Sequence, residues 1–231
     1  GLLMQYFGGK TRLAKHISAA ILSDTDAREV YVEPMVGGGS VLAAMAPHFE
    51  RVYAGDVHED LILMYQAMQS GWEPPLEISE DTWRELKYSE PSPLRGFAGF
   101  GCSFAGRWFE GYARNSKGTN YAAQAARKLE KQRVTATFVH TPFDRWPIKK
   151  GHVVYLDPPY EGTKFYSGTK AFDHQKFWDT ARTWRELGAH VYVSEFSAPG
   201  DWTCIWEKER SVGVGQQSNA SYRTEVDKLF K

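Results

Sequence analysis

The chain of 231 residues carries 28 Lys+Arg and 28 Asp+Glu, so a polycation of the histone kind and a disordered acidic tail are both excluded. Its 42% hydrophobic and 14% aromatic content can fill the core of one large domain, or of one domain carrying an insertion, against about 100–200 residues per domain. Two distant cysteines, Cys102 and Cys204, cannot build a disulfide framework or a four-ligand zinc site, and no apolar run reaches the roughly 18 residues of a membrane span.

In chain order, helical spacing of apolar residues over 11–22 is followed by a short Val/Tyr-rich strand over 30–33. The strand runs into Glu33-Pro34-Met35-Val36-Gly37-Gly38-Gly39-Ser40 and a helix over 40–46. Consecutive glycines let the backbone turn sharply and approach a ligand closely, and a following helix start offers free amide groups. The next strand, 52–56, ends at Asp56, nineteen residues after Gly37. In nucleoside-binding α/β folds an acid about 20 residues on binds ribose hydroxyls. The spacing is not GxGxxG and no P-loop lysine follows, so an adenosine-type ligand fits better than a dinucleotide or ATP.

A helix over 60–70 precedes 71–118, where the strand–helix rhythm breaks. This stretch is rich in Pro, Gly, Trp and Arg, and only a short helix over 80–87 is expected in it. Charge is unevenly spread: residues 1–83 hold five basic and twelve acidic side chains, whereas 84–133 hold ten basic and four acidic. Among the basic residues of the middle block stand Arg107, Arg114 and Lys117, interleaved with Phe97, Phe100, Phe104, Trp108, Phe109, Tyr112 and Tyr121. Such a block suits a polyanion-contacting surface, with charge for phosphates and flat faces for bases. It equally suits a solvated loop whose aromatics plug a local core.

Beyond it come a helix over 121–131 and strands over 134–139 and 153–157. A helix over 174–187 follows, then strands over 190–195, 203–206 and 226–230. Strand–helix alternation predicts an α/β fold with a mainly parallel sheet. The 153–157 strand ends in Asp157-Pro158-Pro159-Tyr160. Prolines fix φ and remove donors, so this strand end is rigid and presents carbonyl acceptors without competing amides. A carboxylate beside fixed carbonyls can accept both hydrogens of an aromatic amine, freeing the nitrogen lone pair for attack, and a neighbouring tyrosine offers a face for a planar base.

These stretches resemble the Dam-type DNA adenine methyltransferases, particularly their short phage and prophage members. Tyr6-Phe-Gly-Gly-Lys10, Glu33–Ser40, Gly55-Asp-Val-His58, Asp157–Tyr160 and Arg223–Phe230 match family motifs in family order, as do phage-branch segments at 99–114 and 194–199. Met35 stands where Phe is usual and His58 where Asn is usual. The resemblance implies a Rossmann-like S-adenosylmethionine-dependent methyltransferase fold, a seven-stranded mainly parallel sheet whose last strand is antiparallel. It implies a catalytic domain of 1–70 and 119–231 with 71–118 as an inserted target-recognition region. It further implies S-adenosylmethionine as methyl donor, adenine in double-stranded DNA as acceptor, and no metal.

Carried over residue by residue, Tyr6, Lys10, Glu33, Pro34, Gly37, Gly39, Asp56 and Asp157 would meet the cofactor. Asp157, Pro158, Pro159 and Tyr160 would hold a flipped adenine. From the middle block's charge, Arg107, Arg114 and Lys117 are the candidates for DNA phosphates. Gln5 aligns near DNA-facing positions, and Phe165 and Tyr166 are candidates for a flap over the base. The same chemistry on the 4-amino group of cytosine, RNA adenine or a glutamine amide is a rival reading. Asp157 argues against cytosine enzymes, which favour Ser before the prolines, and against glutamine enzymes, which favour Asn. A DNA-binding module without catalysis is a further rival, opposed by the intact Asp157–Tyr160 and Lys10. A cytoplasmic monomer in a bacterial or phage-infected cell is expected, with residues 1–3 foreign to the native chain because Met4 opens the first motif.

Overall fold

The computed structural model describes residues 6–160, 171–214 and 221–231. Among these, seven strands form one sheet: β1 Val30–Glu33, β2 Arg51–Asp56, β3 Thr137–His140, β4 Val153–Leu156, β5 His190–Glu195, β6 Cys204–Val214 and β7 Ser221–Phe230. Their spatial order is β3-β2-β1-β4-β5-β7-β6. All neighbours from β3 to β5 pair in parallel, and β7 enters antiparallel between β5 and β6. This is the Rossmann-like fold of S-adenosylmethionine-dependent methyltransferases, as expected. The order reverses between β1 and β4, and in open α/β sheets that crevice outside the strands' carboxyl ends is where ligands bind.

Both faces of the central strands are covered, which is why they read as continuous apolar runs rather than alternating ones. Tyr31, Val153 and Tyr155 point into a core shared with helices α1 Thr11–Asp24, α2 Ser40–Met45, α3 Glu59–Gln69, α4 Glu80–Lys87, α5 Pro93–Gly101 and α6 Tyr121–Lys131. Val30, Val32, Val154 and Leu156 point to the opposite face, onto Trp146 and the Phe177, Trp178 and Trp184 side of α7 His174–Glu186. Among the described residues no helix is long and apolar enough to cross a membrane.

Three expectations need correction. The 71–118 stretch holds a second helix, α5, that the glycines of Pro-Leu-Arg-Gly-Phe-Ala-Gly-Phe-Gly concealed. Each glycine costs a helix about 1 kcal/mol, but here they permit close packing. A Cβ on Gly96 would lie 2.4 Å from the Asp60 carbonyl of α3, and one on Gly99 2.1 Å from the Trp108 ring. Pro93 opens the helix, and the Ser92 side chain caps it by accepting from Arg95 N–H at 3.0 Å. Second, β3 begins at Thr137 rather than 134. Third, β6 and β7 are a long hairpin whose charged alternation hid it; facing Arg210 and Glu225, and Arg210 with Asp227, pair at 2.8 and 2.9 Å.

The 71–118 stretch packs into the same core as the sheet helices. Trp83, Leu86, Phe97, Phe100 and Phe109 are buried in the same cluster as Leu61, Ile62 and Met64 of α3. The basic, aromatic block therefore spends most of its rings on core packing, while Tyr88 and Phe104 are exposed, at 84% and 44%.

Candidate active site

Three acids end neighbouring strands and open onto one cavity of about 910 Å³: Glu33 from β1, Asp56 from β2, and Asp157 directly after β4. Tyr6, Lys10, Pro34, Gly37, Gly39, Pro158, Pro159 and Tyr160 line it as well. Every sequence-predicted cofactor and catalytic residue is thus in one place. The parallel sheet explains why, since it delivers the carboxyl ends of β1, β2 and β4 to the same edge.

The glycine turn is shaped for close approach. Gly37 and Gly39 have φ of 50° and 83°, the left-handed region that glycine adopts without steric cost. Gly38 needs its missing side chain for another reason: a Cβ there would lie 2.3 Å from the Tyr6 carbonyl oxygen. The Tyr6 strap in turn stacks on Phe100 of α5, ring centroids 4.1 Å apart. Asp56 clamps the turn. Its Oδ2 accepts from Gly37 N–H at 3.1 Å and its Oδ1 from His58 N–H at 2.9 Å. Burial pushes its carboxyl up, while these backbone hydrogen bonds hold it down.

Asp157 is 29% exposed, with the Lys10 ammonium 3.9 Å from Oδ2. Burial raises its carboxyl; Lys10 and a hydrogen bond donated by the Tyr160 hydroxyl lower it, and the charge of Asp227 adds to the rise. The Tyr160 ring meets Phe196 edge-on at 4.5 Å. Glu33 is deeply buried and accepts from the Tyr31 hydroxyl at 2.5 Å; burial, with Asp157 nearby, drives its carboxyl well up, favouring the protonated form. The proline carbonyls, the Asp157 carboxylate and the Tyr160 ring together make an acceptor-rich edge beside an aromatic face.

The sequence reading missed part of the wall. Phe143 and Asp144, after β3, and Phe172 and Lys176, around the start of α7, line the same cavity, with Lys176 Nζ 3.0 Å from Asp144 Oδ2. The rule that pointed to the ends of β1, β2 and β4 applies equally to the end of β3. None of the three predicted DNA-contacting residues lines the cavity. Arg107 follows a turn whose Gly106 abuts Tyr6, and it stands 4.0 Å from Glu110. Arg114 pairs with Glu80 of α4 and lies over the Tyr112 ring. Lys117 is exposed on the loop before α6. Gln5, Phe165 and Tyr166 lie outside the described residues. Among the described residues no three His, Cys, Asp or Glu side chains group so as to hold a metal.

The fold and cavity define a methyltransferase-type α/β protein. Residues 6–92 match the family of D12 class N6 adenine-specific DNA methyltransferases. A stretch of 71 residues is 31% identical to the Type II methyltransferase M.MjaIII of Methanocaldococcus jannaschii, covering 29% of this chain and about a quarter (25%) of that relative's length. Among solved structures, an rRNA methylase from Streptococcus thermophilus aligns with TM-score 0.39 and 8% identity, over 94% of this chain and 93% of that one. A magnesium protoporphyrin IX methyltransferase from Synechocystis with bound S-adenosylmethionine aligns with TM-score 0.38 and 11% identity, over 96% and 79%.

Proposed function

We propose that the chain transfers a methyl group from S-adenosylmethionine to the 6-amino nitrogen of adenine in double-stranded DNA, in the manner of the Dam-type enzymes. The observation that carries this reading is the convergence of the Asp56-clamped glycine turn and Asp157–Tyr160 on one cavity. The partial match to an adenine-specific DNA methyltransferase family supports the same substrate.

The residues fit the cofactor. A left-handed glycine turn on the cavity wall, a buried acid at the ribose position and a cavity of about 910 Å³ suit an adenosine-bearing ligand. Asp56 would hold the ribose hydroxyls, the glycine backbone would approach the ligand closely, and Tyr6 and Lys10 would close the opposite wall. When bound, the cofactor supplies an electrophilic methyl group on a sulfonium.

The remaining work falls to the chain. The target amine lies inside the duplex, so the base must be extruded, at a cost of a few kcal/mol in lost pairing and stacking. Tyr160 offers it a face. The Asp157 carboxylate and the Pro158 carbonyl would accept its two amine hydrogens, orient the nitrogen for in-line attack and free its lone pair. Holding reactants in that geometry is the main source of rate here. Asp157, its carboxyl raised by burial, is also placed to take the proton the amine sheds.

Methylation-sensitive sequencing of DNA from a methylation-free host expressing the chain tests the reading. N6-methyladenine at a recurring sequence is expected, and its loss in Asp157→Ala, since positioned acid–base groups contribute about 10²–10⁴-fold. Unmodified adenine with wild type, or methyl groups on cytosine N4, would overturn it.

A further inference from the structure

We propose that Tyr65 and Gln132 are positioning residues that hold the carbonyls of the glycine turn from behind, Tyr65 aiming the Gly38 N–H at the cavity and Gln132 fixing the next peptide, whose Gly39 N–H donates to the Val36 carbonyl; the inference rests on the cavity being the cofactor site. The Tyr65 hydroxyl, on α3, donates to the Gly37 carbonyl at 2.7 Å. The Gln132 amide, at the C-terminal end of α6, donates to the Gly38 carbonyl. In a trans peptide the N–H points opposite to the C=O. A Gly37 carbonyl tied to Tyr65 therefore turns the Gly38 N–H to the other side. The two sides are distinct spaces: Gly37, Gly38 and Asp56 line the large cavity, whereas Tyr65 and Gln132 line a separate cavity of about 330 Å³ on the other side of the turn.

The Gly37–Gly38 unit is thus gripped at three points, by Asp56 on its first N–H and by Tyr65 and Gln132 on its two carbonyls. Left-handed glycines have wide conformational freedom, so without such grips the turn would sample several peptide orientations. The fixed orientation is a preorganised donor, and rigid sites lose less entropy on binding.

Helix α6 braces a second loop with the same face. Lys128 lies one turn before Gln132, and its stem packs against Gly8, where an added Cβ would be 3.1 Å away. Residues four apart share a helix face. One helix therefore supports both the Tyr6–Lys10 strap and the glycine turn, the two backbone walls of the cavity.

The test measures S-adenosylhomocysteine affinity by calorimetry for wild type, Tyr65→Phe and Gln132→Met. Tyr65→Phe keeps the ring that stacks on Phe138 at 5.0 Å and deletes only the donor. Roughly three- to tenfold weaker binding is expected from each, the worth of one hydrogen bond. The KM for cofactor should rise with kcat at saturation preserved, and the Gly38 amide resonance should shift in the ligand-free variants. Tyr112→Phe, which also deletes a hydroxyl bonded to a backbone carbonyl, serves as the remote control and should bind as wild type. Wild-type affinity in both variants, beside a weakened Asp56→Ala, would overturn the positioning role and leave the cofactor site standing. Failure of wild type itself to bind would overturn the cofactor reading and this inference with it.

Discussion

Asp56 and Asp157 sit at the ends of adjacent parts of one sheet but face different demands. Asp56 is 6% exposed and already engaged by backbone N–H groups, those of Gly37 and His58 at 3.1 and 2.9 Å, so its free lone pairs have a fixed direction. Asp56→Ala should weaken S-adenosylhomocysteine binding by about 1.5–3 kcal/mol, the worth of hydrogen bonds to a charged group; unchanged calorimetry would move the ribose site elsewhere. Tyr160 has two separable parts, a ring that the proposed function uses as a stacking face and a hydroxyl on Asp157. With 2-aminopurine at the target position, wild type should change its fluorescence by unstacking it. Tyr160→Phe should keep that signal and turn over more slowly, because only the hydroxyl is removed. Tyr160→Ala should lose both, since base stacking on an aromatic is worth about 1–3 kcal/mol. Equal signals and rates for Ala and wild type would make Tyr160 structural. These residues were legible in the sequence because each occupies a short run with its own chemical logic. Tyr65, Gln132, Asp144 and Lys176 were not, because an ordinary residue on a helix or turn gains meaning only from what it touches.

At the scale of elements, the central parallel strands β1, β4 and β5 could be read because both their faces are buried, which leaves an unbroken Val/Tyr run. Two features resisted for opposite reasons. Helix α5 has poor local propensity and is held by tertiary contact, with Gly96 and Gly99 trading helix stability for proximity to α3 and Trp108. The β6–β7 hairpin is stabilised by cross-strand ion pairs, so its charged residues read as a loop. The basic block is mixed as well. Arg95 is a half-buried structural cation, 2.9 Å from Asp60 and over the Trp108 and Phe109 rings. Arg107 and Arg114 stay exposed beside Glu110 and Glu80. Surface pairs of that kind contribute little, so a phosphate could replace either carboxylate. Substituting Arg107, Arg114 and Lys117 together by Ala should reduce the slope of log K against log salt by about 0.9 for each phosphate no longer neutralised. A slope identical to wild type would assign the three to the solvated surface.

For the whole molecule, the sheet and the 71–118 stretch share one core, so they should unfold in a single transition. His58 lies where they meet. Its backbone N–H is bound by Asp56, and its ring sits against Phe100 and Trp108, at 4.8 and 4.2 Å. Burial pushes its imidazole down to about 4, Asp60 opposing and Arg95 and His140 assisting. The unfolded chain, with the ordinary value of 6.5, therefore binds a proton that the folded protein resists. Stability from this residue is full above pH 6.5 and is lost as pH falls toward about 4, with about 3 kcal/mol at stake over that window. Glu33, Asp56 and Asp157 act in the opposite sense: their carboxyls are raised, so the folded state binds protons more readily and gains stability as pH falls through their raised values. The raw pH profile of the protein mixes these contributions. His58→Asn keeps a polar side chain but cannot titrate, and the difference between its urea-unfolding free energy and that of wild type isolates the imidazole. That difference should be flat above pH 6.5 and shift in the variant's favour by about 3 kcal/mol on going to pH 4. Parallel profiles across the window would mean that His58 is protonated as readily in the folded protein as in the unfolded chain, and that the joint between sheet and insert is wetter than its packing implies.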